Sequence, residues 1–353
     1  MEIVKERVGS ITFWVNRKTK TLIKMETPCL YESVTIPSVL PSGVEIARIG
    51  PRFCFGSYPT ITIDNKIKRV CRCAFKNAIV FRFVWPNGCH TIPECCFENS
   101  MIEELLNISH VKVIRPSAFS DSHINEIKWP IRCKKIPEYC FCNCSNFKRI
   151  FNTDNVTAID RGAFLDSKIE EFAWPAKCKT IPNACFCGAS IKRLTNYDEV
   201  TKIEPCAFQF SLIEQFTVPK AVDYIRFMTF TGCKKLQKLE LHDEITNIGD
   251  NVFVDANINN IRWPLGCSKI PSGCFNGAQI GTITNLSHVS EICEEAFYDA
   301  VLTDKLDFEQ SPINVIGDGS FAGTDRDKVL FPYYMSEDEI QRAFTEREPV
   351  PLF

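Results

Sequence analysis

The sequence has no apolar run of the roughly 18–20 residues that a membrane helix needs, so membrane insertion is not expected. Its first residues, Met1-Glu2-Ile3-Val4-Lys5-Glu6-Arg7, carry acids and no apolar stretch, so no secretory signal is visible. Charge of one sign is lacking too: 41 Lys and Arg stand against 43 Asp and Glu, a net charge of −2. A nucleic-acid binder needs a basic surface to release counterions, so nucleic acid is not an expected partner. Catalytic signatures are missing as well. There is no metalloprotease or kinase motif, and the Gly-rich Gly317-Asp-Gly319-Ser-Phe-Ala-Gly323 lacks the Lys-Ser/Thr of a phosphate loop. What abounds is cysteine, 19 residues, and phenylalanine, 27 residues.

The phenylalanines expose a repeat, Ile-x-x-x-(Ala/Cys)-Phe. Its Ile or Val stands at Ile49, Val70, Ile92, Ile114, Ile136, Ile159, Ile181, Ile203, Ile225, Ile248, Ile270, Ile292 and Ile316. From Val70 onward a Phe follows five residues later, from Phe75 to Phe321; the first unit deviates, with Cys54 there and Phe55 after it. Three residues past each Phe sits a small residue, among them Ala78, Ser100, Cys144, Cys233 and Thr324. That regularity predicts a tight corner where a bulky side chain would strike the next coil.

Between units runs a short alternating stretch such as Ile124-Asn-Glu-Ile127-Lys-Trp129, often followed by Pro. Alternation predicts a strand, and Pro ends its pairing. A period near 22 is too short for two helices and suits one strand plus a second short element per coil. Stacked coils then form a parallel sheet at about 4.8 Å per unit. A superperiod near 44 places Trp85, Trp129, Trp174 and Trp263 at one strand position and Asn107, Asn152, Asn196 and Asn285 there in alternate units, with Val218 and Leu241 filling the two remaining central units. If that position faces inward, large and small residues alternate along the stack and balance core volume.

The ends read as caps. Ile11–Val15 and Thr21–Met25 flank a polar turn and predict a β-hairpin. Ser336, followed by acids and then Arg342, predicts the N-cap of a short amphipathic helix; the last residues, with Pro349 and Pro351, look frayed. The expected organisation is a capping hairpin over residues 1–28, a repeat solenoid over 29–330 and a short helix and tail over 331–353.

Ile248-Gly-Asp-Asn-Val-Phe253, Ile316-Gly-Asp-Gly-Ser-Phe321 and Phe230-Thr-Gly-Cys233-Lys-Lys-Leu236 resemble the BspA-like leucine-rich repeat family. The resemblance covers roughly residues 30–330. It implies a right-handed β-solenoid or horseshoe of about 13 units of 22–23 residues. It also implies cell-surface or secreted proteins of bacteria and parasitic protists that act in adhesion. The family has no shared catalytic residues to carry over. The chain departs from the family pattern in showing no export signal or anchor, and in placing Cys at core positions in alternate units.

Those cysteines come in pairs, Cys89/Cys96, Cys133/Cys140, Cys178/Cys185 and Cys267/Cys274, where other units carry Val, Ile, Ala or Thr. Buried Cys behaves as a small hydrophobe, which fits. The alternative, an intra-coil disulfide, requires Cα atoms within about 7 Å, and an odd total leaves one thiol without an intramolecular partner. Many thiols without a signal lean toward a reduced compartment. Cys71-x-Cys73, Cys140-x-Cys142-x-Cys144 and Cys185-x-Cys187 are spaced more tightly than zinc ligand pairs, and Cys140 and Cys144 already serve the register, so no metal or cofactor is expected. Cys89-His90 is the one adjacent Cys-His pair, but a core thiol is no activated nucleophile. His110 and His288 share one repeat position. Of the Asn-x-Ser/Thr sites, Asn107 and Asn285 take the Trp/Asn strand position and read as structural, while Asn143 and Asn155 matter only after secretion.

Solenoids usually recognise partners along the strand face. The candidate contact residues, which flank the inward strand positions, are Arg82, Val84, Glu104, Leu106, Glu126, Lys128, Arg149, Phe151, Glu171, Arg193, Lys238, Glu240 and Arg262. Mixed charge with Leu106, Phe151 and Val84 suits a protein partner. The expected function is a monomeric, non-enzymatic interaction module of adhesin type, or alternatively an intracellular scaffold. The location is the cell surface by resemblance and the cytoplasm by lack of a signal.

Overall fold

A computed structural model describes residues 2–27, 32–53 and 56–345. Cys54 and Phe55, where the repeat deviates, and the tail with Pro349 and Pro351 lie outside the described residues. The chain is a parallel-strand β-solenoid of about thirteen turns with almost no helix. It divides into two compact units, Met1–Cys178 and Lys179–Phe353.

In both units most turns supply a longer strand and a two-residue strand. In the first unit Val34–Ile36, Ser57–Ile63, Ile79–Val84 and Met101–Leu106 form one parallel sheet. Glu126–Lys128 pairs with Arg149–Phe151 in the same manner. In the second unit Gln215–Thr217, Lys238–Glu240, Asn257–Arg262, Gln279–Thr284 and Val301–Leu302 form a five-stranded parallel sheet. The short strands end on the repeat Ile, as in Thr91–Ile92 beside Val113–Ile114 and Lys269–Ile270 beside Glu291–Ile292. Residues one period apart face each other, for example Arg82 and Glu104 or Glu126 and Arg149. That register follows from a period held nearly constant, because a one-residue slip would turn each strand's apolar set outward.

The repeat Phe is fully buried and forms an aromatic column. In the first unit Phe75, Phe97, Phe119, Phe141 and Phe164 stack at 5.5–5.8 Å between centroids. In the second, Phe186, Phe208, Phe230, Phe253, Phe275, Phe297 and Phe321 stack at 5.0–6.0 Å. Each such pair contributes about 0.5–1.5 kcal/mol beyond simple burial. The small residue three positions on is buried in all twelve units. Its N–H returns to the Phe carbonyl, as in Ser100 to Phe97 at 3.2 Å and Ala278 to Phe275 at 3.0 Å. Here the corner is as tight as the sequence predicts. In Cys144 and Cys233 the thiol also donates to the Phe carbonyl one coil earlier, Phe119 at 2.9 Å and Phe208 at 3.0 Å.

Two columns of left-handed residues were not foreseen. Three residues after each Ile or Val, φ is positive at Arg52, Cys73, Cys95, Ser117, Tyr139, Ala184, Cys206, Met228, Asn251 and Glu295, with Gly162, Gly273 and Gly319 completing the column. Seven residues after it, φ is positive again, at Asn, Asp or Gly in every unit except that of Phe210. Side chains with a Cβ resist this region by roughly 1–2 kcal/mol each. The neighbouring coil holds them there: the N–H groups of Cys73 and Ser117 bond the carbonyls of Glu94 and Glu138 at 3.0 Å.

At the amino end, β1 (Ile3–Val8), β2 (Ile11–Asn16) and β3 (Thr21–Glu26) are antiparallel neighbours. The hairpin of β2 and β3 matches the sequence reading; β1 is additional. β3 then pairs in parallel with Arg48–Ile49, so the antiparallel piece becomes the first rung of the parallel ladder. At the other end α1 (Glu337–Phe344) starts at Ser336 with a full capping box, Ser336 Oγ accepting from Glu339 N. Its Phe344 stacks on Phe321 at 5.5 Å and so extends the aromatic column.

The Trp/Asn alternation works differently from the volume balance that the sequence invites. Trp85, Trp129, Trp174 and Trp263 are indeed buried, each at most 1% exposed. Asn107, Asn152, Asn196 and Asn285 do not fill the same inward place. All four are left-handed, with φ of 59–66°, and three of them are exposed. Ile108 and Leu286, the next residues, are buried beside two of them. The Asn amide instead ties coils together: Asn107 Nδ2 donates to Trp85 O and Asn285 Nδ2 to Trp263 O, each at 2.7 Å.

Candidate functional site

The strand face places the candidate residues as the alternation requires. Arg82, Leu106, Glu126, Lys128, Arg149, Phe151 and Glu171 in the first unit are exposed, while Val84 and Glu104 are half-buried. Arg193, Lys238, Glu240 and Arg262 in the second unit are exposed. Several are already engaged. Arg82 Nε donates to Glu104 Oε2 at 2.8 Å. Lys238 pairs with Glu240 at 2.7 Å, and Glu240 also accepts from Thr217 Oγ1 at 2.7 Å. These bonds hold the Glu240 carboxyl below its usual range. Arg262 binds Asp243. Such exposed pairs are screened by water and orient charge more than they stabilise. Leu106 and Phe151, each 39% exposed, give the face its apolar points.

Within the second unit this face carries a shallow hollow of about 250 Å³ lined by Arg193, Thr195, Tyr197, Gln215, Phe216, Thr217 and Lys238. Tyr197 stacks on Phe216 at 4.9 Å, and its hydroxyl accepts from Thr217 N at 3.1 Å. Burial raises the Tyr197 phenol. An aromatic floor between two basic side chains suits an acidic or aromatic group of a partner. The sequence reading named Arg193 and Lys238 but missed Tyr197, which stands just past the Asn196 of the repeat.

The cysteines serve the core. All seventeen described cysteines are free thiols, so Cys89/Cys96 and the matching pairs are not bridged. Cys96, Cys140, Cys185 and Cys274 are fully buried. Cys89 and Cys267 donate to carbonyls of the preceding coil, Ile67 at 3.4 Å and Ile245 at 3.2 Å. Burial pushes Cys89 up to about 12, so Cys89-His90 supplies no thiolate nucleophile. The backbone carbonyl of each Cys that follows a Trp accepts the indole N–H: Trp85 to Cys89 at 2.9 Å, Trp129 to Cys133 at 2.9 Å, Trp174 to Cys178 and Trp263 to Cys267 at 2.8 Å. This is why Trp-Pro-x-x-Cys recurs: the buried indole donor is satisfied inside its own coil. His110 and His288 add to the same knots. His110 Nε2 lies 3.1 Å from both Pro86 O and Cys89 O; His288 Nε2 lies 2.8 Å from Pro264 O and 3.1 Å from Cys267 O. These histidines are structural donors.

Among the described residues, none of Cys71-x-Cys73, Cys140-x-Cys142-x-Cys144 or Cys185-x-Cys187 forms a group of three candidate ligand atoms; such a group occurs at Cys73, Cys95 and Glu98 instead. No helix among the described residues is long and apolar enough to cross a membrane.

Comparison with known proteins agrees with this architecture. No curated protein matches the chain by sequence. Among solved structures, a leucine-rich repeat protein from Bacteroides ovatus is similar at 15% identity, over 92% of this chain and 91% of that one, with a TM-score of 0.53. A leucine rich cell surface protein from Faecalibacterium prausnitzii is 15% identical over 99% of each chain, with a TM-score of 0.48. The model of the BspA type leucine rich repeat region matches in six copies, spanning residues 68–192, 112–236 and 201–326. The chain belongs to the BspA type leucine-rich repeat family.

Proposed function

We propose that this chain is a non-enzymatic interaction module that binds a protein partner through its strand face, in the manner of an adhesin. The observation that carries the reading is the strand face itself. Every coil offers outward side chains in fixed register, with both charge signs and with Leu106 and Phe151 exposed among them. A rigid rung-by-rung array of this kind suits recognition of an extended protein surface. The core thiols and knot histidines are bound up in packing and backbone hydrogen bonds, which leaves the recognition work to the face.

The test pairs two variants of the full chain. Leu106→Asp with Phe151→Asp alters the strand face; Val113→Asp, also on an exposed apolar side chain, alters the short-strand ladder. Crosslinking on intact source cells is expected to capture the same partner with wild type and with Val113→Asp, and to lose it with the strand-face variant. Equal capture by all three removes the strand-face reading. Protease shaving of intact cells, with a cytosolic protein as leakage control, separates the adhesin from the intracellular scaffold: peptides from residues 70–330 in the shaved fraction favour the first.

A further inference from the structure

Cys73 and Cys95 stand one period apart, at the same place in adjacent coils of the first unit. Both are in the column of left-handed residues, with φ of 55° and 52°. That conformation, held by backbone bonds from Cys73 N to Glu94 O and from Cys95 N to Pro116 O, fixes where both side chains emerge. Glu98, three residues after Cys95, joins them. One ligand atom from each of the three lies within 4.8 Å of the others, and all three residues are half-buried. They line a solvent-open hollow of about 510 Å³ together with Pro51, Arg52, Arg72 and Lys76.

We propose that Cys73, Cys95 and Glu98 form a binding site for a zinc-class divalent ion, with water in the fourth position. Cys thiolate and Glu carboxylate are both zinc donors, and the two soft thiolates favour such an ion over magnesium or calcium. Zn–S bonds of about 2.3 Å in tetrahedral geometry put the sulfurs about 3.8 Å apart, compatible with ligand atoms that all lie within 4.8 Å of one another. The hollow leaves one side of the cluster open, as a three-ligand site with an exchangeable position requires. Charge also permits it. Arg72 pairs with Glu94 at 2.9 Å and Lys76 with Glu98 at 2.8 Å, so these four groups cancel in pairs. The ammonium takes one oxygen of Glu98, and a carboxylate has two. Each thiol releases its proton to solvent on coordination, so one ion replaces two protons and the cluster gains no net charge. Arg52 leaves one positive charge on the rim, a modest penalty in a solvent-screened hollow. The site would clamp two consecutive coils together across their shared corner.

Cobalt(II) reports on this directly. The full-length protein is reduced, stripped of metal and titrated with Co²⁺ under anaerobic conditions. One equivalent is expected to produce a thiolate-to-cobalt charge-transfer band together with the visible bands of tetrahedral cobalt, and Zn²⁺ should bleach both. Cys73→Ser and Cys95→Ser should each weaken binding about 100-fold or more, and Glu98→Gln about 10-fold. Ser is tolerated in this column, since Ser117 occupies it naturally with φ of 53°, and circular dichroism on each variant checks that the coils persist. Cys71→Ser, a neighbouring half-buried thiol outside the cluster, should bind as wild type does. The proposal is overturned if reduced wild type gives no thiolate-to-cobalt band, or if the band survives in the Cys73→Ser/Cys95→Ser double variant.

Discussion

The two units are built on one repeat and carry opposite charge. Met1–Cys178 holds 25 basic and 18 acidic residues, a net +7, while Lys179–Phe353 holds 16 and 25, a net −9. The whole-chain value of −2 conceals this. Cysteine is uneven as well, twelve in the first unit and seven in the second. Their interiors, by contrast, are nearly interchangeable. Trp85, Cys89, Asn107 and His110 form one knot; Trp263, Cys267, Asn285 and His288 form another with the same bonds. Register binds the inward residues because each must fit the coils above and below. Nothing in the stack constrains the sign of an exposed side chain, so the surfaces have been free to part.

The comparison is broken first, and most severely, at the aromatic column. Phe119→Ala and Phe275→Ala should each destabilise their unit by about 3–5 kcal/mol. Hydrogen exchange read by mass spectrometry on peptides of each unit measures this. Similar losses would mean the two cores are equivalent, and a large inequality would mean that they are not.

Next comes the Trp knot, where coils with a histidine and coils without one should differ. Trp129→Phe leaves Cys133 O without its indole donor, and among the described residues no other side chain replaces it. Trp263→Phe leaves Cys267 O still bonded to His288 at 3.1 Å. An orphaned buried acceptor costs about 1–3 kcal/mol, so Trp129→Phe is expected to lower the urea midpoint further than Trp263→Phe. The His288→Ala/Trp263→Phe double variant should abolish the advantage.

Asn107→Ala and Asn285→Ala remove an inter-coil hydrogen bond and put alanine in the left-handed region, for about 1–2 kcal/mol each. Ser336→Ala should cost about 1 kcal/mol and loosen only the second unit, since it breaks the α1 capping box.

Alkali sharpens the contrast last. Burial raises Cys89 and Cys144 to about 12 and Cys178 to about 11 in the first unit, and Cys233 to about 12 and Cys267 to about 11 in the second. A thiol raised in the fold keeps its proton where the unfolded chain has lost it. The stability it lends is complete below the unfolded value near 9 and is lost as pH climbs from there through 11–12. With more such thiols, the first unit should loosen first in a thermal series from pH 8 to pH 11.

Much of this architecture can be read from spacing. The Ile and Phe columns, the small corner, the strand before each Pro and the capping hairpin all leave periodic or paired signals. What escaped has physical reasons. β1 alternates only weakly, its side chains being half-buried or exposed. The left-handed column after each Ile has no residue preference, running through Cys, Ser, Tyr, Ala, Met and Glu, because the neighbouring coil imposes it. The second such column did leave a trace, Asn, Asp or Gly two residues after Phe in eleven units of twelve. The direction of Asn at the Trp position is not legible in the sequence, because alternation of size resembles alternation of direction; its structural role in Asn107 and Asn285 is. The cluster of Cys73, Cys95 and Glu98 was hidden because its thiols meet across coils, 22 residues apart, while Cys-x-Cys pairs draw the eye along the chain. The strand-face residues were visible as positions; the hollow around Tyr197 required the three-dimensional arrangement of three consecutive coils.

The twin knots are separated by 178 residues at every matching position, from Trp85 to Trp263 and from His110 to His288. That interval is eight repeats: three Trp/Asn doublets and a fourth doublet with Val218 and Leu241 at the same positions. Since Trp85 and Trp263 are each tied to the Asn of the coil after them, the building block is the doublet: a duplication that copied one such coil alone would leave a Trp main-chain carbonyl or an Asn amide without its mate. Genes of this kind should therefore lengthen and shorten most readily by about 44 codons at a time.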